Sequence, residues 1–221
     1  MSLAVRLRSA VCLLGRYPAL AATDLDVREG EIVLLSGANG AGKTTLLRAV
    51  AGLVPLHSGA GEVLGHDLVH DRRGARRRLA LVGHETFCYD DLTVRENLRF
   101  ASRAAGRSAD AGDAAIERVG LTRQSGVTHG RLSAGQRRRL ALAVALAREP
   151  SLLLLDEPHA GLDAAGRAVV DAVVSTAPSE GRTVVLASHE LDRARALAGR
   201  EVVLSAGRAV AGVVEPELVH T

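Results

Sequence analysis

Aromatic side chains are almost missing from this 221-residue chain, which has no tryptophan, two tyrosines and two phenylalanines. Hydrophobic residues still make up 47%. The interior must therefore be built from leucine, valine and alanine, and the length suffices for one domain with a full core, spanning residues 1–221. Cysteine is scarce too. Cys12 and Cys88 lie far apart without C-x-x-C spacing, which excludes a disulfide framework and a thiolate metal site and fits reduced thiols in the cytosol. No apolar run approaches the ~20 residues of a membrane-spanning helix. The N-terminus imitates a secretion signal, with Arg6 and Arg8 ahead of Ala10-Val11-Cys12-Leu13-Leu14. That stretch is too short, and Arg16 and Pro18 break the chain directly after it, so it reads as strand. A formal net charge of +3 is too small to argue for nucleic acid, and no nucleic-acid partner is expected.

Lysine occurs once. Lys43 sits in Gly37-Ala38-Asn39-Gly40-Ala41-Gly42-Lys43-Thr44-Thr45, between the apolar run Ile32–Leu35 and a helical pattern running to about Ala51. This strand, glycine-rich loop and helix order is a P-loop with the G-x-x-x-x-G-K-[ST] pattern complete. A triphosphate needs several backbone N–H groups converging on it, so side chains are removed at Gly37, Gly40 and Gly42. The helix start adds free N–H groups and a positive dipole end. Lys43 supplies a compact charge to the β/γ-phosphates, where a planar arginine fork would not fit. The Thr44 hydroxyl is placed to coordinate Mg²⁺.

Short strands are expected at 3–7, 25–28, 31–35, 62–64 and 79–82, and the basic cluster at Arg72, Arg73, Arg76, Arg77 and Arg78 reads as a solvated face, with contact to anionic lipid headgroups or a membrane partner as the alternative. His66 and His70 have the spacing of neighbours on a helix face but read as surface histidines. Thr93-Val94-Arg95-Glu96 is a capping box, and Val94, Leu98, Ala101 and Ala105 then share one helical face. A second helix is expected over 110–119. A third opens at Ser133-Ala134-Gly135-Gln136 and runs to Arg148, before Pro150. Leu152–Leu155 suits a parallel strand buried on both faces. After it come a helix at 164–176, a strand at 183–187, a helix at 191–198 and a hairpin over 201–214 around Ala206-Gly207.

Asp156 and Glu157 emerge at the carboxyl end of the leucine strand, where ligands bind in open α/β sheets. This is a Walker B arrangement. Asp156 would share the Mg²⁺ with Thr44, and Glu157 would serve as general base toward the attacking water. Ser133-Ala134-Gly135-Gln136 is a capping box in its own right, and equally a helix N-terminus suited to an anion.

With Leu132-Ser133-Ala134-Gly135-Gln136 as an LSGGQ-like signature followed by Arg137-Arg138-Arg139, Leu152-to-Pro158 as Walker B, Ala160-Gly161-Leu162-Asp163 as D-loop and His189 as switch histidine, the whole chain resembles the ATP-binding cassette (ABC) ATPases. The resemblance implies an α/β P-loop NTPase with a RecA-like parallel-sheet core, a small antiparallel β subdomain and an α-helical subdomain inserted at about 86–149. It implies ATP and Mg²⁺ as cofactors, and a second ABC ATPase subunit, expected to be an identical copy. Ser133, Gly135 and Gln136 would reach the γ-phosphate held by the partner's P-loop, Asp163 would couple the two sites, and His189 would contact the same phosphate. Hydrolysis would open the dimer and drive an integral membrane permease subunit, with the chain peripheral on the cytoplasmic face of the cell membrane.

Two positions depart from the family pattern. His84 stands where the family has a glutamine, and an imidazole there is a poor Mg²⁺ ligand. Leu14 stands where the family stacks adenine on an aromatic, leaving nearby Tyr17 as the candidate to reach the base. Gly83-His84 followed by Leu92-Thr93-Val94-Arg95-Glu96-Asn97-Leu98 resembles the short ATPases of haem exporters in bacterial cytochrome c maturation. Multidrug and other small-molecule exporters are the alternative, and a soluble ABC ATPase acting on ribosomes or nucleic acid ranks behind both.

Overall fold

A computed structural model describes residues 2–83 and 86–212. The N-terminal segment forms a long hairpin, β1 (Leu3–Leu14) against β2 (Tyr17–Arg28), instead of short strands at 3–7 and 25–28. Alternation breaks at Ser9 and Ala22, whose φ angles are 46° and 56°. These are bulge positions, and pairing resumes beyond them in a shifted register. Next, β3 (Ile32–Ser36) is buried throughout and leads through the glycine loop into α1 (Lys43–Val50). Strands β4 (Ser58–Val63) and β5 (His66–Asp67) complete an antiparallel sheet in the order β2-β1-β4-β5. His66 therefore lies on a strand, not a helix. It pairs with Asp71 at 2.7 Å, and His70 pairs with Asp67 at 3.1 Å, both as surface contacts. In the basic cluster, Arg76 donates to the Gly52 carbonyl at 2.5 Å and so holds the chain just after α1.

The second sheet adds β6 (Leu79–Val82), β7 (Leu152–Asp156), β8 (Thr183–Ala187), β9 (Arg200–Ser205) and β10 (Arg208–Gly212). Its order is β10-β9-β3-β8-β7-β6, with every pairing parallel except β9–β10. The last two strands turn at Ala206-Gly207 as expected, while residues 213 and 214 of the anticipated hairpin lie outside the described residues.

The leucine run shows why β7 needs no alternation. Leu152 and Leu154 face the core shared with α1 and the hairpin, whereas Leu153 and Leu155 face the core on the opposite side. All four are fully buried, each favoured by about 1.5–3 kcal/mol over an exposed position. Both cores are aliphatic, with no phenylalanine or tyrosine in either. All four aromatics are more than half exposed: Tyr17 at 81%, Phe87 at 77%, Tyr89 at 54% and Phe100 at 53%.

Between β6 and β7 the chain forms α2 (Val94–Ala104), α3 (Ala109–Arg118) and α4 (Ala134–Leu146). Thr93 caps α2 through the expected box: its hydroxyl accepts from the Glu96 N–H at 3.2 Å, and the Glu96 carboxylate accepts from the Thr93 N–H at 2.8 Å. Two more helices flank β8, α5 (Ala164–Thr176) before it and α6 (Leu191–Leu197) after it. Because β3, β8 and β7 are neighbours and parallel, the glycine loop, Ser188-His189 and Asp156-Glu157 all leave the sheet at one edge.

Candidate functional site

The glycine loop is shaped by contacts that exclude side chains. Gly42 caps α1 at φ 107°, and a Cβ there would stand 2.5 Å from the Ala19 carbonyl of β2. At Gly37, φ 135°, a Cβ would collide with the Leu204 carbonyl of β9. The loop is thus wedged between the hairpin and the sheet, which fixes where its N–H groups point. Lys43 is 7% exposed and folds its ammonium back along the loop, donating to the Gly37 carbonyl at 2.7 Å and the Ala38 carbonyl at 3.2 Å.

Across this loop stand the two carboxylates from β7. The Thr44 hydroxyl donates to Asp156 Oδ2 at 2.8 Å, joining the start of α1 to the end of β7. These two oxygens belong to the hard donor class that magnesium takes. The described residues contain no cluster of three or more His, Cys, Asp or Glu side chains that could hold an ion unaided. One hydroxyl and one carboxylate, completed by substrate phosphate, is the usual donor set for Mg²⁺ in phosphoryl-transfer sites, so the residues fit the ion.

Glu157 has φ 51°, an uncommon left-handed backbone for a side chain of this size. Its N–H is held by the Ala187 carbonyl of β8 at 2.8 Å. Its carboxylate meets His189 twice, accepting from the His189 backbone N–H at 3.0 Å and lying 3.2 Å from Nε2 of the ring. A hollow of about 250 Å³ collects these parts, lined by Leu14, Ala19, Asn39–Thr45, Asp156, Glu157 and His189. That is below the ~300–1,000 Å³ of a complete small-molecule site. It is the outline of half a site.

Several expected residues fall elsewhere. Ser133 and Gln136 bond to each other as the capping box of α4, with the Gln136 N–H reaching the Ser133 hydroxyl at 3.2 Å and the Ser133 N–H reaching Gln136 Oε1 at 2.9 Å. Neither lines the hollow. A Cβ at Gly135 would lie 3.9 Å from the Gly161 carbonyl, so the start of α4 rests beside the D-loop of its own chain. Asp163 caps α5, accepting from the Gly166 N–H at 2.7 Å, and is also outside the hollow. Tyr17 does not line it either. It sits at the hairpin tip, 81% exposed, and the aliphatic Leu14 and Ala19 form the wall where the adenine stack was anticipated. His84 lies outside the described residues.

One residue was missed. Arg138, in the middle of the Arg137-Arg138-Arg139 run, donates to the carbonyls of Asp156 at 2.8 Å and Glu157 at 2.5 Å, and also to the Gly83 carbonyl. Burial pulls the Arg138 guanidinium's pKa below its ordinary value, opposed by the charges of Asp156 and Glu157. The only signal in the sequence was an arginine run directly behind the signature. The cysteines are spectators. Burial raises the Cys12 thiol and pushes Cys88 up to about 11, which leaves both unreactive near neutrality.

A family model described as "ABC transporter" matches residues 20–160. The chain is 39% identical over 208 residues to the daunorubicin resistance ATP-binding protein DrrA3 of Streptomyces coeruleorubidus, spanning 92% of this chain and 66% of that protein. It is 41% identical over 179 residues to the cytochrome c biogenesis ATP-binding export protein CcmA of Bordetella bronchiseptica, spanning 80% of each. Among solved structures, the dimeric bacterial ABC transporter cassette MJ0796 superposes with a TM-score of 0.85 at 25% identity, covering 93% of this chain and 96% of that one.

Proposed function

The chain belongs to the ABC transporter family, and from that premise we propose that it is an ATP-hydrolysing subunit that works as a dimer and powers a separate membrane permease. One observation carries the dimer. The hollow gathers Lys43, Thr44, Asp156, Glu157 and His189 but none of Ser133, Gly135 or Gln136, which stand at the exposed start of α4. A second copy presenting its α4 start completes each half-site, so two ATP molecules lie between two subunits. The dimeric state of the similar MJ0796 cassette supports this arrangement.

In such a site, loop N–H groups and Lys43 would hold the β/γ-phosphates, and Thr44 and Asp156 would hold Mg²⁺, which when bound would neutralise phosphate charge. Glu157 takes the proton from the water that attacks the γ-phosphorus, and His189 keeps the carboxylate oriented through its two contacts. The bond from the γ-phosphorus to the bridging oxygen breaks, ADP keeps that oxygen, and departure of the phosphate takes away charge shared across the interface, so the dimer opens.

The helical insertion offers the permease a seat. Tyr89 and Phe100 pack edge to face with centroids 5.2 Å apart, beside a groove of about 220 Å³ that Phe87, Ala101, Ala104, Val144 and Arg148 help to line. The loop bearing Phe87 and Tyr89 is held in place. Asn97 brackets Tyr89, accepting from its N–H at 2.8 Å and donating to its carbonyl at 3.1 Å, and the buried His129 pairs with Asp90 at 2.6 Å. No helix among the described residues is long and apolar enough to cross a membrane; the proposed place, beside the permease and peripheral on the cytoplasmic face, follows from the family role.

For cargo we put haem export for cytochrome c biogenesis first, supported by Gly83-His84 and by 41% identity to CcmA. Export of another small molecule is the second reading, favoured by the longer match to DrrA3. Purification of the tagged chain from native membranes tests the role: an integral membrane protein should co-elute, and its absence would refute the transporter assignment. Loss of holo-cytochromes c on deletion, with drug tolerance unchanged, would select haem; the reverse pattern would select the second reading.

A further inference from the structure

We infer that Arg138 is a positioning residue for hydrolysis, joining the signature helix to the catalytic turn through the backbone of Asp156 and Glu157. This rests on the proposed role of Glu157 as base. The guanidinium reaches three carbonyls from two distant segments: Gly83, where the chain leaves β6, and Asp156 and Glu157, where it leaves β7. The arginine itself is on α4, five positions beyond Ser133 in the same helix. A single planar fork therefore fixes the signature helix, the exit of β6 and the Walker B turn relative to one another.

The turn needs such a fixture. Glu157 has φ 51° and precedes Pro158, a combination that side-chain sterics disfavour. Three backbone contacts oppose relaxation: the Glu157 N–H to Ala187, and the Glu157 carbonyl shared between Arg138 and the Ala160 N–H at 3.2 Å. Only Arg138 among these is a side chain, and only it also holds the preceding carbonyl. Without it the turn can relax toward ordinary φ, which swings the carboxylate away from His189 and from the place of the attacking water. Misplacement of a reacting group by about 1 Å costs on the order of 10²-fold in rate. Arg138 bonds to neither the loop nor Lys43 and meets Asp156 only at its backbone carbonyl, while the Asp156 carboxylate is held separately by Thr44, so the two effects separate.

The experiment compares full-length wild type with Arg138→Met, which keeps the stem and removes every donor. Steady-state ATP hydrolysis, equilibrium binding of a fluorescent ATP analogue and the thermal midpoint are read together. The expected result is a fall in kcat of at least tenfold with analogue affinity within threefold. A smaller fall in kcat overturns the inference, as does a loss of affinity in step with kcat, which would make Arg138 merely structural. Should the methionine variant not fold, Arg138→Lys, which keeps the charge but cannot span three carbonyls, is judged by the same split. Glu157→Gln is run alongside. If it hydrolyses ATP at the wild-type rate, the role of Glu157 fails and this inference with it; if it is inactive while Arg138→Met is normal, only the inference fails.

Discussion

Replacing Glu157 by glutamine isolates proton transfer from binding and from folding. The side chain is 15% exposed and makes two contacts, both to His189. Glutamine has the same shape and keeps a carbonyl oxygen able to accept from the His189 N–H now bonded at 3.0 Å. What disappears is the charge facing the His189 ring, whose own side chain is 55% exposed. Water reaches the His189 end of this contact, which holds its worth to about 1 kcal/mol at most, so folding stability should change by no more than that. The catalytic cost is larger. A positioned general base contributes about 10²–10⁴-fold, which at 1.36 kcal/mol per decade is about 3–5 kcal/mol of barrier. The variant should bind ATP as tightly as wild type, lose at least a hundredfold in hydrolysis, and accumulate as an ATP-bound dimer visible by light scattering. Full hydrolysis in a folded Glu157→Gln protein would refute the assignment of the base, since glutamine has no means of holding that proton.

Three further outcomes rest on the geometry. Ser133→Arg should abolish hydrolysis while ATP binding to the isolated subunit survives, because Ser133 lies outside its own hollow; loss of binding in an equilibrium titration would mean the signature acts within one chain. Gly42→Ala forces a Cβ to 2.5 Å from the Ala19 carbonyl at φ 107°, so nucleotide affinity should drop at least tenfold by fluorescence titration; an unchanged affinity would count against the loop as phosphate cradle. The Arg195 fork, with a bond from Ser36 assisting, holds the buried Glu201 carboxyl below the usual range against the effect of burial. Its folded pKa is thus below the unfolded value of about 4.3, so its contribution is complete above that pH and is lost as pH falls through the folded pKa. Thermal midpoints measured from pH 6 to pH 3 should fall more steeply for wild type than for Glu201→Gln, and parallel curves would exclude this pair as a source of acid sensitivity.

Local physics made some elements legible in the sequence to the residue. The helix at 164–176 begins at a capping Asp163 and gives way just before Pro178, and the strand at 183–187 is β-branched Thr183 followed by the apolar run Val184–Ala187, shortly after Gly181. The P-loop and Walker B could be placed because a strand end fixes where the next residues emerge, and the Thr44–Asp156 contact is a consequence of that topology. The hairpin was not legible in full. Bulges at Ser9 and Ala22 invert the alternation, and a two-residue period cannot be traced through an inserted residue. For Tyr17, sequence proximity to Leu14 carries no direction, and the structure puts the ring at the hairpin tip, 81% exposed and outside the lining of the hollow. Arg138 had no periodic signal at all. Its partners are backbone carbonyls of remote segments, which carry no residue type to recognise.

Aromatic scarcity bears on the helical insertion. Both cores close with aliphatic residues and, in one, Cys12, so neither contains any of the four aromatic residues. Three of them, Phe87, Tyr89 and Phe100, nevertheless line one groove on the insertion, each more than half exposed. An exposed aromatic forgoes much of the burial energy it could supply, and three together at one groove differ from the scattered single exposures normal on a protein surface. Phe87 moreover has φ 50°, a strained backbone for a bulky residue. Folding alone explains neither the clustering nor the strain. In the proposed assembly, contact with a partner would account for the clustering, because docking would bury a face that the isolated subunit leaves in water. In that proposed assembly the end of α4 bearing Ser133 would face the second ATPase copy, while the groove near its other end, lined by Val144 and Arg148, would face the membrane subunit. One helix thereby touches both proposed partners, and Arg138 ties it to the turn that carries the base.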